Sequence, residues 1–126
     1  MRLLYIDDDR INTLLFVEAC RFADGVDVES AASGAEALEV AQRWQPDLLV
    51  IDLHLPDTNG YELLAALRRA LGKPALPAFL CTAEDEDVVA EPARLAGFVG
   101  CWTKPVDLPT VLAELSRRSA GTGPAA

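Results

Sequence analysis

Short, nearly continuous apolar runs alternate along this chain with longer segments whose apolar residues recur every three or four positions. That is the pattern of βαβ units wound around a parallel sheet. Five such pairs are present. The runs predict strands over Arg2 to Ile6, Val26 to Ala31, Leu48 to Asp52, Ala78 to Thr82 and Gly100 to Thr103. Three of them are apolar on both faces, as strands covered on both sides must be. The second, Val26-Asp27-Val28-Glu29, alternates and reads as an edge.

The helical periodicity predicts helices over Arg10 to Ala23, Gly34 to Arg43, Tyr61 to Leu71 and Leu108 to Arg118, with a weaker one within Asp85 to Ala96. Their starts carry caps. Ser33 with Glu36 three residues later forms a capping box, Asn59 precedes the third helix, and Asp107 with Pro109 opens the last. Pro92 removes a backbone hydrogen bond from the fourth segment, which is therefore expected to be short or kinked. The fold class that follows is α/β, a single parallel five-stranded sheet flanked by five helices.

With 126 residues the chain suits one domain, expected over 1–119 and followed over 120–126 by a small, uncharged tail or linker stub. No apolar run approaches the ~20 residues of a membrane span, and the start Met1-Arg2-Leu3 reads as a strand rather than a signal peptide. A soluble, cytoplasmic protein is expected, with no membrane partner. A net charge of −9 leaves no basic stripe for phosphates, so direct nucleic-acid binding is not expected and partners should be proteins or cations. Cys20, Cys81 and Cys101 stand at unrelated spacings in apolar stretches and read as reduced, buried thiols.

The chemistry gathers at the ends of the predicted strands. Asp7 and Asp8 end the first, Asp52 the third and Thr82 the fourth, and Lys104 follows the fifth. In an open parallel sheet, ligands bind outside the carboxyl ends of the strands, so these side chains are placed to share one site. Three carboxylates in one pocket repel, and a hard divalent ion held by carboxylates, a carbonyl and waters relieves them, with Mg²⁺ the natural candidate. Alternatively, Asp7, Asp8 and Asp9 only cap and charge the first helix. Lys104 and Thr82 add an ammonium and a hydroxyl, which a phosphoryl group needs, since its transfer depends on positioning and charge neutralisation. Taken separately, Lys104 could simply neutralise the acids and Thr82 simply cap a helix.

These residues resemble the receiver domains of two-component response regulators, over almost the whole chain from Arg2 to Arg118. The matching stretches are Leu3-Leu4-Tyr5-Ile6-Asp7-Asp8, Asp52-Leu53-His54-Leu55-Pro56-Asp57-Thr58-Asn59-Gly60, Cys81-Thr82-Ala83 and Thr103-Lys104-Pro105, with Ala32-Ser33-Gly34-Ala35-Glu36-Ala37-Leu38 as a second-helix signature. The resemblance implies a flavodoxin-like sheet of order 2-1-3-4-5. It implies that Asp52 accepts a phosphoryl group from a phosphohistidine on a histidine kinase or phosphotransfer domain. By the same resemblance Asp7, Asp8, Asp52 and the backbone carbonyl of His54 hold Mg²⁺, Thr82 and Lys104 bond phosphoryl oxygens, and Lys104-Pro105 is cis. Such a domain is no enzyme beyond its own phosphorylation and dephosphorylation. It signals to an output protein, here unknown, around its fourth and fifth helices, and a homodimer through the α4-β5-α5 face is an implied option. His54 and Glu84 stand where the family tunes the lifetime of the acyl phosphate.

One departure stands out. The family has an aromatic residue three positions before the lysine, where this chain has Cys101 with Trp102 next to it. Either output does without an aromatic switch or Trp102 partly replaces it. The run Asp8-Asp9-Arg10-Ile11-Asn12, with Lys104-Pro105-Val106-Asp107, leans toward receivers of hybrid histidine kinases, whose phosphotransfer bundle would dock on the first helix. Two other function classes are open. Asp7-Asp8-Asp9 also fits the Asp-x-Asp of aspartate-nucleophile, Mg²⁺-dependent phosphatases, although Ile11 departs from that pattern and Asp52 would have no role. A pseudo-receiver would bind partners without phosphorylation.

Overall fold

The computed structural model describes residues 1–121. Its elements run β1 (Arg2–Ile6), α1 (Arg10–Cys20), β2 (Asp27–Ala31), α2 (Gly34–Trp44), β3 (Leu48–Asp52), α3 (Gly60–Leu71), β4 (Ala78–Thr82), α4 (Glu86–Ala96), β5 (Gly100–Thr103) and α5 (Leu108–Gly121). The five strands form one parallel sheet in the order β2-β1-β3-β4-β5. This is the implied order, with the alternating second strand at an edge.

Period-two alternation splits the core into two layers. Leu4, Ile6, Leu49, Ile51 and Leu80 point to the face covered by α2, α3 and α4, where Ala37, Val40, Leu64, Leu67, Val89 and Ala93 meet them. Leu3, Tyr5, Leu48, Val50, Phe79 and Cys81 point to the other face, against Phe16 and Cys20 of α1 and Val111 and Leu115 of α5. Every residue of β3 and β4 is buried. Their carboxyl ends are therefore held by the most completely covered part of the molecule.

The expected N-cap bonds form at α2 and α3, while the Glu36 carboxylate accepts the Ala32 amide at 3.3 Å rather than that of Ser33. The Glu36 amide donates to Ser33 Oγ at 3.1 Å and the Glu62 amide to Asn59 Oδ1 at 3.0 Å. The Val111 amide donates to the Asp107 carbonyl, and Thr110 Oγ1 bonds the Asp107 side chain.

Three expectations about the helices need correction. The fourth helix is a full eleven residues with Pro92 inside it. Val89 and Ala93 bury its inner face, while Pro92 is exposed, so water can satisfy the carbonyl its missing N–H leaves free. The last helix continues past Arg118 to Gly121, through the first residues assigned to the tail. Residues 122–126 of that tail lie outside the described residues. The first helix ends at Cys20, and Phe22 and Ala23 follow in a turn with amides bonded to Ala19 and Cys20 carbonyls.

Candidate functional site

The predicted residues converge where the strands end. Asp7, Asp8 and Asp52 each offer a carboxylate oxygen within 4.8 Å of the others, the group of metal-ligating type found among the described residues. Asp7 and Asp52 are buried and Asp8 is exposed. Lys104 reaches them from the far end of β5, its ammonium donating to Asp7 Oδ2 at 2.9 Å and to Asp52 Oδ2 at 3.1 Å. The Lys104-Pro105 bond is cis.

Neighbouring backbone holds the acids in place. Asp7 accepts two further bonds from β1 and its loop: the Asp9 amide donates to Oδ1 at 2.9 Å and the Tyr5 hydroxyl to Oδ2 at 3.0 Å, beside the Lys104 bond. Burial pushes the Asp7 carboxyl up, but the Asp9 amide, Lys104 and Tyr5 outweigh it and hold it below the usual carboxylate range. Asp52 has fewer donors, the His54 amide at 3.3 Å and Lys104. Burial there outweighs Lys104, and the adjacent Asp7 charge adds to it, so Asp52 is raised. Lys104 itself is raised, because the two carboxylates overcome its burial.

One ammonium thus faces three carboxylates. The remaining negative charge, the all-oxygen donor set and the exposed Asp8 suit a hard divalent cation that keeps some of its waters. Asp9 does something else: its Oδ1 accepts the Asn12 amide at 3.0 Å and caps α1. Capping and cluster formation, alternatives in the sequence, are divided between Asp9 and its neighbours.

Thr82 is completely buried at the end of β4, its hydroxyl accepting the Glu84 amide at 3.2 Å and its carbonyl accepting the Lys104 amide at 2.7 Å. His54 Nε2 lies 2.8 Å from Glu84 Oε1, so the loops after β3 and β4 are joined at the surface. Tyr5 is the residue that sequence reasoning passed over. Its signal was a hydroxyl in a strand covered on both faces, since a buried tyrosine must find a partner for its O–H.

Trp102 packs on the face of the sheet opposite to Cys101. It pairs with Cys81, on the α1 and α5 side, and stacks on Phe79 at 4.3 Å, and the Arg118 guanidinium lies over the Phe79 ring. Cys101 pairs with Leu80 and packs on the opposite side, near Tyr61 and Phe98. Burial pushes the Cys20 thiol up to about 11 and the Cys81 thiol up to about 12, and raises Cys101 as well, which suits packing rather than reactivity.

Comparison with known proteins agrees with this geometry: the family model for the response regulator receiver domain matches residues 3–116. The chain belongs to that family. It is 33% identical over 115 residues to the transcriptional regulatory protein TrcR of Mycobacterium tuberculosis, covering 91% of this chain and 44% of that one. Among solved structures, this receiver superposes on a CheY-like receiver domain protein from Methanospirillum hungatei with a TM-score of 0.81 at 25% identity, covering 95% of this chain and 94% of that one. The chemotaxis response regulator CheY4 of Vibrio cholerae gives 0.81 at 28%, over 92% and 96%. The chain spans half or less of the length of the curated regulators it matches. Among the described residues no helix is long and apolar enough to cross a membrane.

Proposed function

We propose that this receiver accepts a phosphoryl group on Asp52 from a phosphohistidine of a histidine kinase or phosphotransfer domain. A carboxylate oxygen of Asp52 attacks phosphorus, the P–N bond breaks, the imidazole leaves with its electron pair, and an acyl phosphate remains. The observation that carries this reading is the Lys104 ammonium shared between Asp7 and Asp52 beside the exposed Asp8. It supplies a fixed positive charge where phosphoryl oxygens would gather.

Asp7, Asp8, Asp52 and the His54 carbonyl are the residues that would hold Mg²⁺. The ion supplies charge neutralisation for the incoming phosphoryl oxygens. Lys104 and Thr82 would bond those oxygens: the ammonium would turn from its two carboxylates toward the added charge, and the Thr82 hydroxyl, which accepts the Glu84 amide, has its own proton to donate. A modification carrying roughly −1.5 to −2 charge therefore favours a second arrangement of these loops.

Surface features support the partners. Ile11, Leu14 and Leu15 form an exposed apolar stripe at the start of α1, next to the site, where a phosphotransfer helix would dock. Val88, Leu95 and Val99 are exposed on the α4–β5 side, where an output protein or a second copy would bind. Cytoplasmic action fits a kinase partner of this kind. The phosphatase alternative loses support because Asp9, the second acid of its motif, is committed to the α1 cap.

Intact mass after incubation with acetyl phosphate, with and without Mg²⁺, tests the reading on the native chain and on Asp52→Asn. A single Mg²⁺-dependent phosphoryl adduct, absent from the variant, is expected. An adduct persisting in Asp52→Asn would move the acceptor elsewhere. No adduct on a folded native chain would favour a pseudo-receiver.

A further inference from the structure

Asp57 lies at the tip of the loop between β3 and α3, exposed, and the phosphoryl chemistry above makes no use of it. Its carboxylate nevertheless spans to another element. The Gly34 amide donates to Oδ1 at 2.8 Å and the Ala35 amide to Oδ2 at 3.0 Å, from 23 and 22 residues away in sequence. Both are first-turn donors that a helix leaves without internal partners. The next amide, that of Glu36, is taken by Ser33. The α2 helix therefore carries two caps, its own serine and a carboxylate lent by the loop that follows Asp52.

The fit is close on both sides. A Cβ added at Gly34 would lie 2.6 Å from Thr58 Cγ2 and 3.2 Å from Asp57 Oδ1, so the loop occupies space that only glycine leaves open. The loop is also closed on itself. The Leu55 amide donates to the Thr58 carbonyl at 3.2 Å and the Gly60 amide to the Leu53 carbonyl at 2.9 Å, with His54 opposite Asn59. A loop braced in this way moves as a unit, and its tip is pinned by Asp57. Its base carries the His54 amide, 3.3 Å from Asp52 Oδ1.

We propose that Asp57 is a positioning residue: by clamping the tip of this loop to the first turn of α2, it fixes the backbone at His54 against Asp52 and so sets the affinity of the acidic site for its divalent ion. The inference rests on the reading of Asp52 and His54 given above. Partners of this outer kind typically change metal affinity by 10- to 100-fold when removed.

The test is a calorimetric Mg²⁺ titration of the full chain, without any phosphodonor, on the native protein and on Asp57→Ala, Asp57→Asn, Gly34→Ala and Ser33→Ala. Ser33→Ala removes a cap from the same helix without touching the loop. Asp57→Ala and Gly34→Ala are expected to weaken Mg²⁺ binding about tenfold, Asp57→Asn less, and the Asp57→Ala/Gly34→Ala double variant no more than the worse single, because both act through one clamp. Ser33→Ala should lower thermal stability yet keep the Mg²⁺ affinity within about twofold, since a cap alone acts on the helix. Native-like affinity in Asp57→Ala, or an equal loss in Ser33→Ala, would overturn the proposal, as would a native chain that binds no Mg²⁺. A native chain that binds Mg²⁺ but takes no phosphoryl group would defeat the Asp52 reading and leave the clamp to be decided by these titrations.

Discussion

Lys104 bonds Asp52 from across β4, ammonium to carboxylate at 3.1 Å, with 16% of the lysine side chain and 10% of the aspartate exposed. The same ammonium is 2.9 Å from Asp7, so one cation separates two buried acids. Removing it leaves them facing each other in a poorly solvated pocket, and breaking such a pair costs about 3–5 kcal/mol where no proton or ion intervenes. Lys104→Met is expected to lower the stability of the Mg²⁺-free domain by about 3 kcal/mol. Mg²⁺ should recover most of that loss, and the variant should bind Mg²⁺ more tightly than the native chain. Urea unfolding with and without Mg²⁺ checks this, and an equal deficit in both conditions would count against a charge-based role.

Asp52 is raised and Asp7 lowered, and the signs lead to opposite consequences. Asp7 contributes stability above the ordinary carboxylate pKa, and that stability is lost as pH falls through its depressed value. Asp52 holds its proton more tightly in the folded state, so its ionisation costs stability progressively as pH rises from the ordinary carboxylate value through its raised one. Without metal, Asp52→Asn is therefore expected to melt higher at pH 7, by roughly 3–5 °C if about 1 kcal/mol is relieved. The gain should disappear below about pH 4, where Asp52 is protonated in folded and unfolded chains alike. Added Mg²⁺ should stabilise the native chain and leave the variant nearly unchanged, which a melting series over pH would show.

The sheet and the acidic site were legible because both rest on local signals. Four of the strands were apolar runs with an acid, a threonine or a lysine at the end, the second was marked by its alternation, and four of the five strand spans agree with the structure at both ends. The helix ends were less legible. Pro92 signals a break in a local reading, but Val89 and Ala93 dock on the core and carry α4 through it. The stack of Trp102 on Phe79 depends on a neighbouring strand, so the part of Trp102 stayed open in the sequence. Asp57 was beyond reach, because nothing near it in sequence shows that its partners are Gly34 and Ala35.

The α4 helix is the least secured of the set, since its leading Asp85 makes no side-chain cap bond and Pro92 interrupts its amide ladder. A proline inside a helix costs about 3 kcal/mol relative to alanine, part of which it returns by restricting the unfolded chain. Pro92→Ala is expected to stabilise the domain by roughly 1–2 kcal/mol. Hydrogen exchange should slow most at the α4 amides. Uniform slowing across the sheet, with α4 unchanged, would show that the helix is not locally weak.

Tyr5 buries its hydroxyl against Asp7 Oδ2 and stacks its ring on Phe16 at 4.2 Å. Tyr5→Phe keeps the stack and deletes one donor to a charged acceptor, a bond worth about 1.5–3 kcal/mol. The loss should be near the lower figure, because the Asp9 amide and Lys104 continue to hold the carboxylate. Its pH dependence identifies the cause. Removing a donor raises the folded pKa of Asp7, so the deficit is greatest at neutral pH and shrinks as pH falls through the Asp7 titration, where the carboxyl becomes neutral in both variants. Urea midpoints for native and Tyr5→Phe chains between pH 7 and pH 3 measure this directly. A deficit that stayed constant over that range would assign the role of Tyr5 to packing rather than to the charge on Asp7.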